Sequence, residues 1–173
     1  KADGYGPLLS PEQAHAIALE QGDKSSAVRG HRRMAWLHMD AGDWAQAEDS
    51  LRLGLRVARE LGDLPGEASL VGTLGTVAAS SGNYEQALIQ LQEADRMYAL
   101  QGNTEQRHNC RVNMCISLEQ LNRLDEAFAM VDELKGESEL VPMTQHFVTL
   151  VEMKLHIRRN DWHAALALSD DLL

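Results

Sequence analysis

Apolar residues recur along this chain at the spacing of one helix face. Leu70, Leu74, Val77 and Ala78 fall at i, i+4, i+7 and i+8, and Leu51, Leu55 and Ala58, then Leu88, Leu91, Ala94 and Tyr98, form similar stripes. The stripes are broken at regular places. The breaks read Gly42-Asp43-Trp44-Ala45-Gln46-Ala47, Gly82-Asn83-Tyr84-Glu85-Gln86-Ala87, Asn122-Arg123-Leu124-Asp125-Glu126-Ala127 and Asn160-Asp161-Trp162-His163-Ala164-Ala165, spaced 40, 40 and 38 residues apart. A second marker, Gly22-Asp23, Gly62-Asp63 and Gly102-Asn103, keeps the same period of 40.

Each period predicts a helical hairpin. Helix A precedes the Gly/Asn break and helix B follows it. Gly42, Gly82, Asn122 and Asn160 stand where a left-handed residue ends helix A, because Gly and Asn tolerate positive φ best. Asp43, Asn83 and Asp161 are placed to cap helix B. The Ala at 47, 87, 127 and 165 predicts a close crossing of B on A, where a larger side chain would push the axes apart. Trp44, Tyr84, Leu124 and Trp162 supply the large neighbour, and Ala35, Gly75 and Cys115 the small residue on helix A. Upstream, Ser10-Pro11-Glu12-Gln13 carries a cap and a first-turn proline, and opens a helix to about Gln21. The expected organisation is a linker plus helix B of an incomplete leading unit over 1–24, then units over 25–64, 65–104, 105–140 and 141–173. The third unit ends early at Lys135-Gly136, and Val141-Pro142 starts the next helix.

Composition strengthens the all-α reading. The 173 residues include 21 Ala and 25 Leu against 9 Val, 4 Ile and 5 Thr, a balance that favours helix over strand. The net charge of −10 lacks the basic footprint of a nucleic-acid binder, so no direct nucleic-acid partner is expected. No apolar run approaches the roughly 20 residues of a membrane span. The chain opens at Lys1 and closes at Leu173 within a helical pattern, and is expected to be an excerpt of a longer protein. Cys110 and Cys115, five apart, would sit about 140° apart around a helix, which disfavours a mutual disulfide. Free thiols in a reducing cytoplasm are the simpler expectation. Seven histidines invite a metal, but His31 with His38, His108 with Cys110, and His146, His156 and His163 carry no HExxH or CxxC frame. No phosphate-cradling glycine loop or nucleophile motif is present either. The chain is expected to hold no metal or cofactor and to be no enzyme.

The residues Met34-Ala35, Trp44 and Ala47, then Leu74-Gly75, Tyr84, Ala87 and Ala94, then Met114-Cys115, Leu124 and Ala127, resemble the tetratricopeptide repeat (TPR) family over about residues 25–173. The family pairs a small residue in helix A with an aromatic after the turn and an alanine three residues on. Its usual period is 34. The period of 40 resembles a long-repeat subgroup found in bacterial regulators and in spindle-orientation adaptors. The chain departs from the family by lacking the proline near the end of helix B, where Arg59 and Ala99 stand. In the fourth helix A, about Met143 to Arg159, Glu152 falls where the family register expects Leu. A one-residue shift is therefore expected there, with Phe147, Leu150, Met153 and Ile157 as the apolar stripe.

The resemblance implies a right-handed superhelical solenoid with helices A lining a concave groove that binds a protein or peptide. The groove residues expected from helical spacing are Arg29, Arg32, Arg33 and Trp36 in the first unit and Thr73 in the second. Asn109 and Asn113 follow in the third, and Lys154 and Arg158 in the fourth. Asn113 resembles the asparagine with which many TPR proteins grip ligand backbone. The arginines suit an acidic or carboxylate-bearing segment, with Trp36 and Met39 as apolar anchors. The sequence leaves other uses open: a regulatory module of a larger transcription or signalling protein, or self-association through the terminal Leu166, Leu168, Leu172 and Leu173.

Overall fold

The computed structural model describes residues 24–137 and 140–170, together with Gln13. Apart from Gln13, the expected leading helix lies outside the described residues. Eight helices run in order: α1 Lys24–Asp40, α2 Trp44–Leu61, α3 Leu64–Ser80, α4 Tyr84–Leu100, α5 Thr104–Gln120, α6 Leu124–Lys135, α7 Pro142–Arg158 and α8 Trp162–Asp170. Among the described residues there is no strand. The odd-numbered helices are the helices A of the sequence pattern and the even-numbered ones the helices B. The chain divides into two compact units, Lys1–Val77 and Ala78–Leu173, and the division falls inside α3.

The A-to-B turn is built the same way four times. Gly42, Gly82, Asn122 and Asn160 have φ of 75°, 83°, 57° and 59°. In each turn the next N–H reaches back five residues to a helix carbonyl. Asp43 bonds His38 and Asn83 bonds Ala78 at 2.8 Å, and Arg123 bonds Leu118 and Asp161 bonds His156 at 2.9 Å. That is the left-handed helix ending which glycine and asparagine make affordable. Helix B then starts two residues after the left-handed residue, at Trp44, Tyr84, Leu124 and Trp162. Asp43 caps α2 by accepting from the Gln46 N–H at 3.1 Å, and Asp161 accepts from the Ala164 N–H at 3.2 Å. Asn83 makes no side-chain cap bond, so α4 starts without the one expected. Asn103 does cap α5, accepting from the Gln106 N–H at 3.2 Å.

Packing follows the small residues. Ala47, Ala87, Ala127 and Ala165 are all buried, as are Ala35, Gly75 and Cys115 on helices A. In the first unit, Val28 and Ala35 of α1, Leu51 and Ala58 of α2, and Leu70, Leu74 and Val77 of α3 form one apolar cluster. Gly54 lies at a close approach beside it. A Cβ on Gly54 would stand 2.6 Å from the His31 Cβ and 3.3 Å from Leu70 Cδ1. In the second unit Leu91, Ala94 and Tyr98 of α4, Met114 and Leu118 of α5, Val131 and Leu134 of α6, and Val148 and Leu155 of α7 are buried.

The fourth helix A corrects the expected stripe. Phe147 and Ile157 are exposed, Leu150 and Met153 are half-buried, and Thr144, Val148, Val151, Glu152 and Leu155 form the buried face. There is no one-residue shift. Glu152 occupies the place of the buried Met114 one repeat earlier. Lys135 makes this tolerable, because its Nζ donates to both Glu152 carboxylate oxygens at 2.8 Å. Trp162, opening α8, is exposed, whereas Trp44, Tyr84 and Leu124 are half-buried.

These contacts generate two stability predictions. Gly54→Ala gains about 0.8–1 kcal/mol of helix propensity but meets an overpacking cost of about 1–3 kcal/mol. The expected net result is a lower urea midpoint, and a higher one would contradict the close approach of α1 to α2. Glu152→Met should hold or raise the melting midpoint, because the half-exposed Lys135 can return to water. Lys135→Met should lower stability by about 1–3 kcal/mol, because it leaves the buried carboxylate without its donor. Equal effects of the two substitutions would refute this arrangement.

Candidate functional site: the exposed faces of helices A

The nine expected groove residues divide between the two compact units. In the first unit, α1 carries Arg29, Arg32, Arg33 and Trp36. Successive offsets of three or four residues set Arg29, Arg32 or Arg33, and Trp36 along one side of the helix. Arg29 is exposed and donates to the Ser26 hydroxyl at 2.8 Å. Arg32 is half-buried and reaches across to the Ser69 hydroxyl of α3 in a short hydrogen bond. Arg33 is exposed, and Trp36 keeps 46% of its surface in solvent. Among the described residues none of these three arginines forms an ion pair. Thr73, one turn beyond Ser69, is buried, and its hydroxyl donates to the Ser69 carbonyl at 2.8 Å. Its hydroxyl proton is therefore committed to its own helix.

In the second unit the expected residues lie on α5 and α7. Asn109 is exposed and Asn113 half-buried; the Asn113 carbonyl accepts from the Ser117 hydroxyl at 2.9 Å. Lys154 is exposed. Arg158 is already engaged: it donates to the buried Glu119 at 2.9 Å and to the Asn122 side chain at 3.4 Å. Its charge is matched inside the fold, so the basic character expected of the fourth repeat reduces to Lys154. Among the residues expected to support self-association, Leu166 is exposed and Leu168 half-buried. Leu172 and Leu173 lie outside the described residues.

The sequence pattern did not reveal a charged network elsewhere in this unit. Asp95 on α4 lies 3.4 Å from Arg107 and 3.3 Å from Arg111, both on α5. Arg111 also pairs with Glu137, just past α6, at 2.9 Å. The buried His108 places Nε2 3.2 Å from Glu137. A carboxylate only accepts, so that nitrogen is the donor. This hydrogen bond, with Arg111 and Arg107 close by, holds the Glu137 carboxyl below its ordinary range. One signal was available: Arg107 and Arg111 stand at i, i+4, a like-charge pair that is unfavourable unless an acid faces it.

Neither cysteine offers reactive chemistry. Burial, with Asp95 near Cys110 and Glu133 near Cys115, pushes both thiols up to about 12. They are neutral thiols rather than nucleophiles. Among the described residues, no three His, Cys, Asp or Glu side chains gather where they could hold a metal ion. No described helix is long and apolar enough to cross a membrane.

None of the curated proteins matches the sequence significantly. Among solved structures, the chain is similar to the nearly identical TPR-like repeats of a kinesin light chain candidate from Podosopora anserina. The TM-score is 0.68 at 14% identity, covering 95% of this chain and 84% of that one. At that identity the likeness establishes the fold. The family model that matches is the tetratricopeptide repeat, over residues 26–99. The tetratricopeptide repeat model thus matches residues 26–99, and the TPR-like fold extends over nearly all of the chain's length.

Proposed function

We propose that this protein is a non-catalytic scaffold that captures a polypeptide segment on the exposed faces of its helices A. In the first unit we assign the ligand face to Arg29, Arg32, Arg33 and Trp36, with Thr73 beneath. In the second we assign it to Asn109, Asn113 and Lys154, with Arg158 as a framing residue. One observation carries the reading. On α1, three guanidinium groups share one stretch of helix, and the hydrogen-bond partners described for them are serine hydroxyls, not carboxylates. In a chain of net charge −10, acids to neutralise these groups are plentiful. Arginines left without them suit an incoming carboxylate, which the planar fork binds through two parallel hydrogen bonds. The exposed Trp36 adds an apolar anchor beside them. The preferred ligand is therefore an acidic or carboxylate-terminated segment, taken up in the cytoplasm, where the two thiols stay reduced.

The test uses a fluorescent peptide of alternating Glu and Leu against its Lys-Leu counterpart. The acidic peptide should bind more tightly. Arg29→Glu with Arg33→Glu, both at exposed positions, should weaken it by about tenfold or more, equivalent to about 1.4 kcal/mol, with the melting midpoint unchanged. Adding Arg32→Glu should weaken it further. Equal affinity of the variants and the parent chain would reject the assignment.

A further inference from the structure

Within the second unit, helices α4 and α6 leave between them a cleft of about 210 Å³. Leu88 of α4, Leu118 of α5 and Met130 of α6 line its apolar part, and Arg123, Glu126 and Glu133 stand at its rim. The size is informative. Sites that enclose a small molecule start at roughly 300 Å³, so this one suits a single side chain of a polypeptide. It is formed by helices B with one residue of α5, and so goes beyond the function assigned above to the faces of helices A.

The charge around the cleft is unbalanced. Arg123 and Glu126 neutralise each other through two bonds of 2.7 and 2.6 Å. Glu133 is exposed and makes no ion pair among the described residues. Glu85, in the first turn of α4, is near enough to act electrostatically on Arg123. Three carboxylates therefore face one guanidinium, and two negative charges are left over.

The following repeat shows what such a corner accepts. By the matched turns, Phe128 corresponds to Leu88 and Asp125 to Glu85. There Arg159 lies over the Phe128 ring, 4.3 Å from its centre, and pairs with Asp125 at the same time. A cation resting on an apolar surface beside a carboxylate fills that corner. In the α4–α6 repeat the residue matching Arg159 is Leu121, which brings no charge.

We propose that the α4–α6 cleft docks a basic segment of a partner protein. Its apolar side chain would rest on Leu88, Leu118 and Met130, and a flanking Arg or Lys would sit between Glu85 and Glu133. The segment does from outside what Arg159 does from within the chain one repeat later.

The experiment titrates isotopically labelled chain with a synthetic Arg-Leu repeat peptide and reads backbone amide shifts. The shifts should gather at Leu88, Gln92, Met130 and Glu133, and an equally long Glu-Leu peptide should leave these signals unmoved. Glu85→Gln with Glu133→Gln, both at exposed positions, should weaken the basic peptide by about fivefold. Raising the salt from about 0.05 to about 0.5 M should weaken it as well. Met130→Lys should remove binding; if it fails to fold, the double glutamine variant decides. Shifts centred on Asn109 and Lys154, equal binding of the acidic peptide, or unchanged affinity in the double variant would overturn the proposal. So would a concentration-dependent dimer that Met130→Lys disperses, since that result assigns the cleft to a second copy of the chain.

Discussion

Close approach of helix pairs is the constraint on which this structure depends. Five residues after each left-handed turn residue, the chain buries an alanine: Ala47, Ala87, Ala127 and Ala165. The turn fixes where helix B starts, and the alanine fixes how near it comes to helix A. Neither works alone. A left-handed turn without a small residue would aim helix B correctly and hold it too far away. A small residue without the turn would have no fixed partner. The same pair of devices recurs about every forty residues, and it brings α1 onto α2 within the first unit and α5 onto α6 and α7 onto α8 within the second. The longer stripes of Leu51, Leu70, Leu91 and Leu155 then bury their side chains against a geometry already set.

Polar contacts add register to this apolar scheme. Glu119 and Glu152 are buried carboxylates on successive helices A, each reached by a cation from a neighbouring element, Arg158 and Lys135. Such pairs contribute little net stability, since desolvation offsets most of the attraction. Their effect is selective. A helix slid by one residue would leave a carboxylate buried without its donor. The Asp95, Arg107, Arg111, Glu137 and His108 network performs the same task where α6 is short.

This division explains what the sequence made legible. Turn positions, helix starts and the small residues at the crossings were readable because they obey local rules repeated at a fixed period. The register of α7 was misread for a physical reason: a glutamate at a core position argues against burial until its partner is known. Lys135 lies 17 residues away on another helix. The candidate binding face was legible only as a set of positions. Spacing places Arg29, Arg33, Trp36 and Asn109 on exposed helix surface, but cannot tell Arg158, matched by Glu119, from Arg33, which has no acid among the described residues. Thr73 was similarly indistinguishable from an exposed threonine until its hydroxyl was found bonded to its own helix.

Both binding proposals rest on helices held rigidly enough to present fixed surfaces, and hence on the alanine crossings. The most direct measurement is urea unfolding of single Ala→Leu variants at 47, 87 and 127, compared with the same change at the exposed Ala99. Each buried position should lose about 1–3 kcal/mol through overpacking, and Ala99→Leu should stay within about 0.5 kcal/mol of the parent. Buried and exposed sites that respond alike would contradict the repeated close crossing and the fold built on it.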